Sequence, residues 1–163
     1  MRWRFSECDL ARAGLGLSTI EPGRLRAGTF LPVPHRLEGV RLVHEPVTDG
    51  RPVDETDRET LATTVEFADS IVSQTLGLMF RRSVPDGYAL AFQFDSTTTR
   101  GLHMVFVFFP IDAVWLVDGV VQRVETLRPW RGFARETADL IVELPAGTAA
   151  DIDPGDRLRL EDE

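Results

Sequence analysis

One carboxylate and one imidazole stand inside the most apolar run of the chain, which extends from Gly101 to Gly119. The carboxylate belongs to Asp112, and strand alternation puts it on the same face as apolar neighbours. An unpaired carboxylate at such a position would be very costly. Asp112 must therefore accept hydrogen bonds, either from backbone amides at the Pro110 bend or from a guanidinium.

The guanidinium candidates are Arg81 and Arg82, which follow the apolar stretch "GLMF". Two interpretations of Asp112 stay open. In the structural one, which we favour, the carboxylate is a buried clamp that fixes its strand to the end of a helix. In the functional one it is a general base or a ligand-binding carboxylate.

His103 is the second candidate catalytic residue. It is a strand-edge residue, a satisfied core imidazole, or a partner of Asp112 in proton transfer, since a bend at Pro110 can reset the strand register between them. The three histidines and the single cysteine show no spacing typical of zinc or iron ligands. We therefore predict neither a metal site nor a cofactor.

Arginines alternate with aromatic residues in the stretch "LRPWRGFARE". Guanidinium and aromatic planes together can hold an anion, a sugar ring or a peptide. Trp130 and Arg131 therefore join Arg81 and Asp112 as candidate ligand-binding residues. The simpler interpretation, which we favour for the stretch as a whole, is a long surface loop whose aromatic residues cap the end of a barrel.

Acidic residues outnumber basic ones by 26 to 18 in this chain of 163 residues, and every basic residue is arginine. The net charge of -8 repels phosphate backbones and argues against a nucleic-acid partner. The missing lysine fits either a halophile-like acidic surface or a genome rich in arginine codons. No apolar run reaches the roughly 20 residues that a bilayer requires, and one cysteine cannot form an internal disulfide. We expect a soluble cytoplasmic protein with no membrane partner.

Two regions differ in composition. Residues 1–39 hold six arginines and four acids with scattered glycine and proline, and we interpret them as a poorly ordered N-terminal extension. An alternative is that the natural product begins near Val40 and a misplaced start codon adds the residues before it. Residues 40–163 form the second region, a single β domain.

Short strand patterns dominate that domain, and Asp118-Gly119 is a hairpin signal between "IDAVWLV" and "VVQRVETL". The apolar run predicts two strands that divide at Pro110. One short helix is expected at residues 69–80, which Gly77 could close. Seven or so strands with one or two short helices predict an all-β fold, either a jelly-roll-like sandwich or a small closed barrel.

Several motifs occur in a recognisable order: "GLMFR", a Met-centred apolar strand that runs into Pro-Ile-Asp, and "ELPAG" followed by "GD". In order and spacing they resemble the family called domain of unknown function 192, over roughly residues 40–160, and in particular its haloarchaeal-type members. The resemblance implies a compact jelly-roll-like β fold without an established activity. The Lys-Asn-Thr typical of that family is replaced here by Val105, Phe106 and Val107, which weakens any inherited polar site.

Two functions from different classes are consistent with these residues. We expect a non-catalytic module that binds a small polar ligand or a peptide near Arg81, Asp112 and Trp130. The alternative is a hydrolase or isomerase with Asp112 as general base and His103 in support. The sequence leaves the ligand and the oligomeric state open.

Overall fold

Strands make up most of the part of the chain that this computed structural model describes, which is residues 35–37, 39–48, 50–53, 57–68 and 77–162. In chain order they are β1 (His35–Leu37), β2 (Val40–Glu45), β3 (Val47–Thr48), β4 (Arg51–Pro52), β5 (Glu59–Ala62), β6 (Thr64–Phe67), β7 (Tyr88–His103), β8 (Ile111–Val117), β9 (Val120–Leu127), β10 (Phe133–Pro145) and β11 (Arg157–Asp162). All of them lie in one unit of the chain, Pro32–Glu163.

Nine of these strands form one mixed sheet in the order β1, β6, β7, β10, β8, β9, β11, β2, β5, and β3 pairs with β4 in a small separate hairpin. Neighbouring strands are antiparallel except β6 and β7, which are parallel. β5 and β6 follow each other in the chain with only Thr63 between them, yet they lie towards opposite ends of the strand order. The predicted all-β fold is confirmed. The alternative of a closed barrel is wrong, and the sheet is consistent with a sandwich.

Apolar side chains pack on both faces of the central strands because residues alternate in direction along each strand. Val114 and Leu116 of β8 belong to one cluster, the first core, which also contains Val142 and Leu144 of β10. The other face of the same strands builds the second core, whose members include Ile111, Trp115, Leu90, Met104 and Ile141. The alternation predicted for β8 is therefore confirmed.

The β8–β9 hairpin forms where the sequence predicts it. Asp118 and Gly119 both adopt positive φ, 50° and 77°, as a two-residue turn between strands of this twist requires. The other prediction for the apolar run is wrong, because β7 ends at His103 and residues 104–110 form a turn-rich loop rather than a strand. Within that loop the N–H of Val107 donates to the carbonyl of Met104 at 3.1 Å.

Other expectations meet the structure only in part. Residues 35–37, assigned from sequence to the N-terminal extension, form β1 and pair with β6, whereas residues 1–34 lie outside the described part of the chain. Most of the expected helix, residues 69–76, also lies outside it, and residues 77–80 form a turn. No helix in the described residues is long and apolar enough to cross a bilayer.

Candidate functional site

Three loops at the border of the second core bring four aromatic side chains together. The loops are residues 77–84, 104–110 and 128–132, and the side chains are those of Phe80, Phe106, Phe108 and Trp130. Phe80 stacks on Phe106 with ring centroids 5.0 Å apart. Trp130 meets Phe106 and Phe108 edge-on, at centroid distances of 5.6 and 5.1 Å. We call these four residues the aromatic face.

Backbone hydrogen bonds join the three loops to one another. The N–H of Phe80 donates to the carbonyl of Phe106 at 2.9 Å, and the N–H of Trp130 donates to the carbonyl of Met104 at 3.1 Å. Met104 in turn donates to the carbonyl of Gly132 at 2.9 Å. A Cβ at Gly132 would lie 2.7 Å from the Met104 side chain, so this close approach requires glycine. The loops therefore form one connected support for the rings.

Three residues of the aromatic face have left-handed backbone conformations: φ is 65° at Phe80, 61° at Phe106 and 65° at Trp130. For a bulky residue with a Cβ this conformation costs roughly 1 to 2 kcal/mol, and such strain clusters at binding and catalytic sites. The same sign of φ at Asp118 has an ordinary cause, because it lies in the β8–β9 hairpin turn. The other three positions also lie in tight turns, closed by bonds from the N–H of Arg81 to the carbonyl of Leu78, from Val107 to Met104 and from Arg131 to Pro129. These turns place a bulky aromatic residue where glycine or asparagine is the usual choice.

The four residues of the aromatic face expose between 41% and 61% of their surface to solvent. Among the described residues the other exposed large hydrophobic side chains are Val105, which lies beside Phe106, Phe133 and Leu160. Phe80, Phe108 and Arg82 also line a shallow depression of about 370 Å³. A contiguous exposed apolar surface of this kind is typical of an interaction site.

The three loops are basic in a chain that is acidic overall. Within these ranges they contain four arginines (Arg81, Arg82, Arg128 and Arg131) and no aspartate or glutamate, and the exposed Asp86 lies two residues beyond the first range, before β7 begins. The last three of these arginines are exposed, whereas Arg81 is half-buried. The surface around the aromatic rings therefore carries positive charge.

Arg81 enters a partly buried polar cluster. Its guanidinium donates to the Glu66 carboxylate and to the Tyr88 hydroxyl, each at 2.9 Å, and the Tyr88 hydroxyl donates to Glu66 at 2.7 Å. Burial, together with the bond to Glu66, raises the pKa of Tyr88, so the phenol stays protonated. These bonds hold Arg81 in place. The residue before it, Phe80, belongs to the aromatic face.

A second carboxyl group, that of Glu143, lies on the same sheet face as this cluster. Glu143 of β10 is opposite Leu90 of β7, which is in turn opposite Glu66 of β6. Its side chain is buried, and its Oε2 atom makes no hydrogen bond within the part of the chain that the structure describes. Burial raises the pKa of Glu143 to about 8, although the charge of Arg81 opposes the shift. The group is therefore mainly a neutral acid at pH 7.

Asp112 lies on the opposite face of the sheet, next to the first core. Its carboxylate accepts hydrogen bonds from the Thr126 hydroxyl at 2.7 Å and from the N–H groups of Gly147 and Ala149 at 2.7 and 3.0 Å. The prediction that the donors lie at the Pro110 bend or on Arg81 or Arg82 is therefore wrong. Arg81 and Trp130 belong to loops of the same surface. Asp112 is buried on the other face of the sheet, away from both.

The remaining predicted site residues lie on the surface. Arg131 is exposed beside Trp130, and His103 is exposed at the end of β7, opposite Phe133 of β10. His103 has no hydrogen bond to Asp112, whose three partners are those given above. Among the described residues, no group of three or more histidine, cysteine or acidic side chains is arranged to hold a metal ion.

Sequence reasoning did not propose six of the residues that complete the site: Glu66, Phe80, Tyr88, Phe106, Phe108 and Glu143. It named Arg82 only as a donor to Asp112. One signal was available for Glu143, because it stands in the apolar strand "LIVEL" just as Asp112 stands in "IDAVW". The aromatic residues at 106 and 108 carried a misleading signal, since an apolar run ordinarily indicates a buried strand.

Comparison with known proteins identifies a family and a fold. The profile of domain of unknown function 192, described as Uncharacterized ACR, matches residues 53–160. UPF0127 proteins of Pyrococcus horikoshii and Pyrococcus furiosus are each 34% identical to this chain, over 58% of it and 85% and 84% of their own lengths. Because these relatives come from Pyrococcus, the finer expectation of haloarchaeal-type members is not supported.

Two crystal structures share the fold, each with a TM-score of 0.61. One is a protein of Sinorhizobium meliloti named as a candidate transcription regulator, 26% identical over 74% of this chain and 92% of that one. The other is a protein of unknown function from Novosphingobium aromaticivorans, 19% identical over 84% of this chain and 99% of that one. The second likeness concerns the fold alone.

Proposed function

The chain belongs to the family of domain of unknown function 192. From the geometry of its loops we propose that it is a non-catalytic module that binds a peptide on the aromatic face. The observation that carries the proposal is that three of the four rings stand on residues with strained, left-handed backbone. The folded protein keeps this strained backbone although it leaves apolar side chains exposed to water. A bound ligand would bury that apolar surface and gain its transfer free energy.

Pre-organisation supports binding at this face. The rings contact one another, and the loops beneath them are hydrogen-bonded together, so little conformational freedom remains to be lost when a ligand docks. Aromatic and arginine side chains dominate the energetics of protein recognition sites, and both are concentrated here. A peptide can use them together because it offers apolar side chains and polar backbone at once.

Turnover has less support than binding. The proposed general base, Asp112, already accepts three hydrogen bonds, is buried, and lies on the other face of the sheet. His103 lies on the surface and makes no hydrogen bond to Asp112. A role in nucleic-acid binding, which the name of the Sinorhizobium protein brings to mind, is disfavoured because a phosphate backbone would extend beyond the few exposed arginines of the loops in a chain whose net charge is -8.

Selection from a library of random 12-residue peptides, displayed on phage against the immobilised protein, tests the proposal. We expect peptides that bind the wild type and are lost from the double variant Phe108→Ala, Trp130→Ala. Leu160→Ala is the matched control, because Leu160 is an exposed apolar residue outside the three loops. It should retain the same peptides. Circular dichroism and thermal unfolding establish that all three proteins are folded.

Two results would overturn the proposal. One is a selection that enriches no peptide on the wild type above the level of an empty support. The other is enrichment of the same peptides on the wild type and on the double variant, which would place peptide binding somewhere other than the aromatic face.

A further inference from the structure

We propose that the partner of the aromatic face is an acidic peptide segment, with a bulky apolar side chain seated between Phe80 and Phe108 and a neighbouring carboxylate on Arg82. This inference rests on the proposed function and names the chemistry of its ligand. It follows from the charge of the three loops and from the depression between two of the rings. The same two features disfavour a second copy of the protein and a lipid bilayer as occupants.

Charge is the first argument. Arg82, Arg128 and Arg131 are exposed around the rings, whereas the fourth arginine, Arg81, is already paired with Glu66. Within their ranges the loops hold no acidic residue, whereas the chain as a whole carries -8. An acidic ligand is therefore attracted to these loops, while the net charge of the chain opposes its binding elsewhere.

Shape is the second argument. The shallow depression lined by Phe80, Arg82 and Phe108 has a volume of about 370 Å³, which is enough room for one bulky apolar side chain. An apolar side chain fills such a depression, and a carboxylate one or two residues away along the peptide reaches Arg82, whose planar group binds carboxylates well.

Two other occupants fit less well. A second copy of the same face would bring two sets of exposed arginines together, and like charges at an interface cost several kcal/mol. A lipid bilayer is a broad surface that leaves the depression lined by Phe80, Arg82 and Phe108 unfilled.

Fluorescence anisotropy with two labelled, end-capped peptides tests the inference. The first is Gly-Glu-Glu-Phe-Glu-Glu-Gly, and the second replaces each Glu with Lys. We expect the acidic peptide to bind at least about tenfold more tightly and to lose affinity as salt rises. Arg82→Glu should weaken the acidic peptide and strengthen the lysine peptide. The control Arg157→Glu, an exposed position on β11, should leave the preference unchanged.

The outcomes separate this inference from the proposed function. Equal affinity for both peptides, or a preference that survives Arg82→Glu, would overturn the inference. If neither peptide binds but the phage selection yields peptides that depend on Trp130, the inference fails and the proposed function stands. Binding to phosphatidylglycerol vesicles that requires Trp130, without binding of the acidic peptide, would replace the peptide by a membrane surface.

Discussion

The Asp112 carboxylate accepts the backbone N–H of Gly147 at 2.7 Å, although 35 residues separate the two in sequence. With the bond from Ala149, this contact holds the start of the β10–β11 connection against β8. Because both N–H groups belong to a turn, the carboxylate takes the place of backbone partners that the turn itself does not supply. Asp112 is thus positioned to act as a structural clamp.

Replacing Asp112 should therefore cost stability in proportion to the donors left without acceptors. Asp112→Ala leaves two backbone N–H groups unpaired and should lower the free energy of unfolding by about 3 kcal/mol. Asp112→Asn keeps one acceptor oxygen and should cost about half as much. Urea denaturation at pH 7 measures both. The control Asp151→Asn, at an exposed position, should change little. A cost below about 0.5 kcal/mol for Asp112→Ala would contradict the clamp.

Glu143 should make stability fall with rising pH. Its pKa in the folded protein is about 8 against 4.5 for the free group. The contribution to stability is therefore complete below about pH 4.5 and is lost as the pH rises towards 8. Relative to Glu143→Gln, the wild type should lose on the order of 3 kcal/mol between pH 5 and pH 8. Parallel pH profiles of the two proteins in urea unfolding would show that the carboxyl group is not buried as described.

Asp156 should act in the opposite direction. Although burial raises its pKa, hydrogen bonds from the N–H of Asp153, the His44 ring and the N–H of Val47 lower it below the ordinary value. Its stabilisation is present above about pH 4 and is lost as the pH falls through the folded pKa. In urea denaturation, Asp156→Asn should lower the free energy of unfolding by about 2 kcal/mol at pH 6 and by less at pH 3. A constant difference across that range would contradict this account.

The left-handed conformation at Phe106 predicts a reversal of the usual order of two substitutions. Both Phe106→Gly and Phe106→Ala remove the ring, but only glycine relieves the strain, so the glycine variant should be more stable by about 1 kcal/mol. Phe108 does not have positive φ. There the alanine variant should be the more stable of the corresponding pair. Thermal unfolding of the four proteins checks this, and the same order at both positions would argue against strain at Phe106.

Local features of the fold were predictable from sequence. The β8–β9 hairpin follows from two residues and the strands beside them, because the turn type demands Asp-Gly and the alternation specifies the faces. The loop at residues 104–110 was not predictable in this way. Its backbone bonds go to Phe80 and Gly132, which are distant in sequence, and its apolar composition gives the ordinary signal for a strand.

The candidate site divides in the same manner. Arg81 and Trp130 could be named because their residue types suit ligand binding. The partners of Arg81 could not be, since Glu66 and Tyr88 meet only where β6 runs parallel to β7. Asp112 and Glu143 carry the same sequence signal, one carboxylate in an apolar strand. Only the three-dimensional supply of donors decides that the first accepts three hydrogen bonds and that burial raises the pKa of the second.

The pairing of β2 with β11 places Arg41 opposite Glu161, 120 residues further along the chain. A ribosome that adds about 5 to 20 residues per second needs roughly 6 to 24 seconds to make that length. For this interval β2 has an unpaired edge, and an open strand edge can pair with strands of other chains. The newly made domain is therefore vulnerable to aggregation until β11 emerges and docks, and its folding rate should be low for its size.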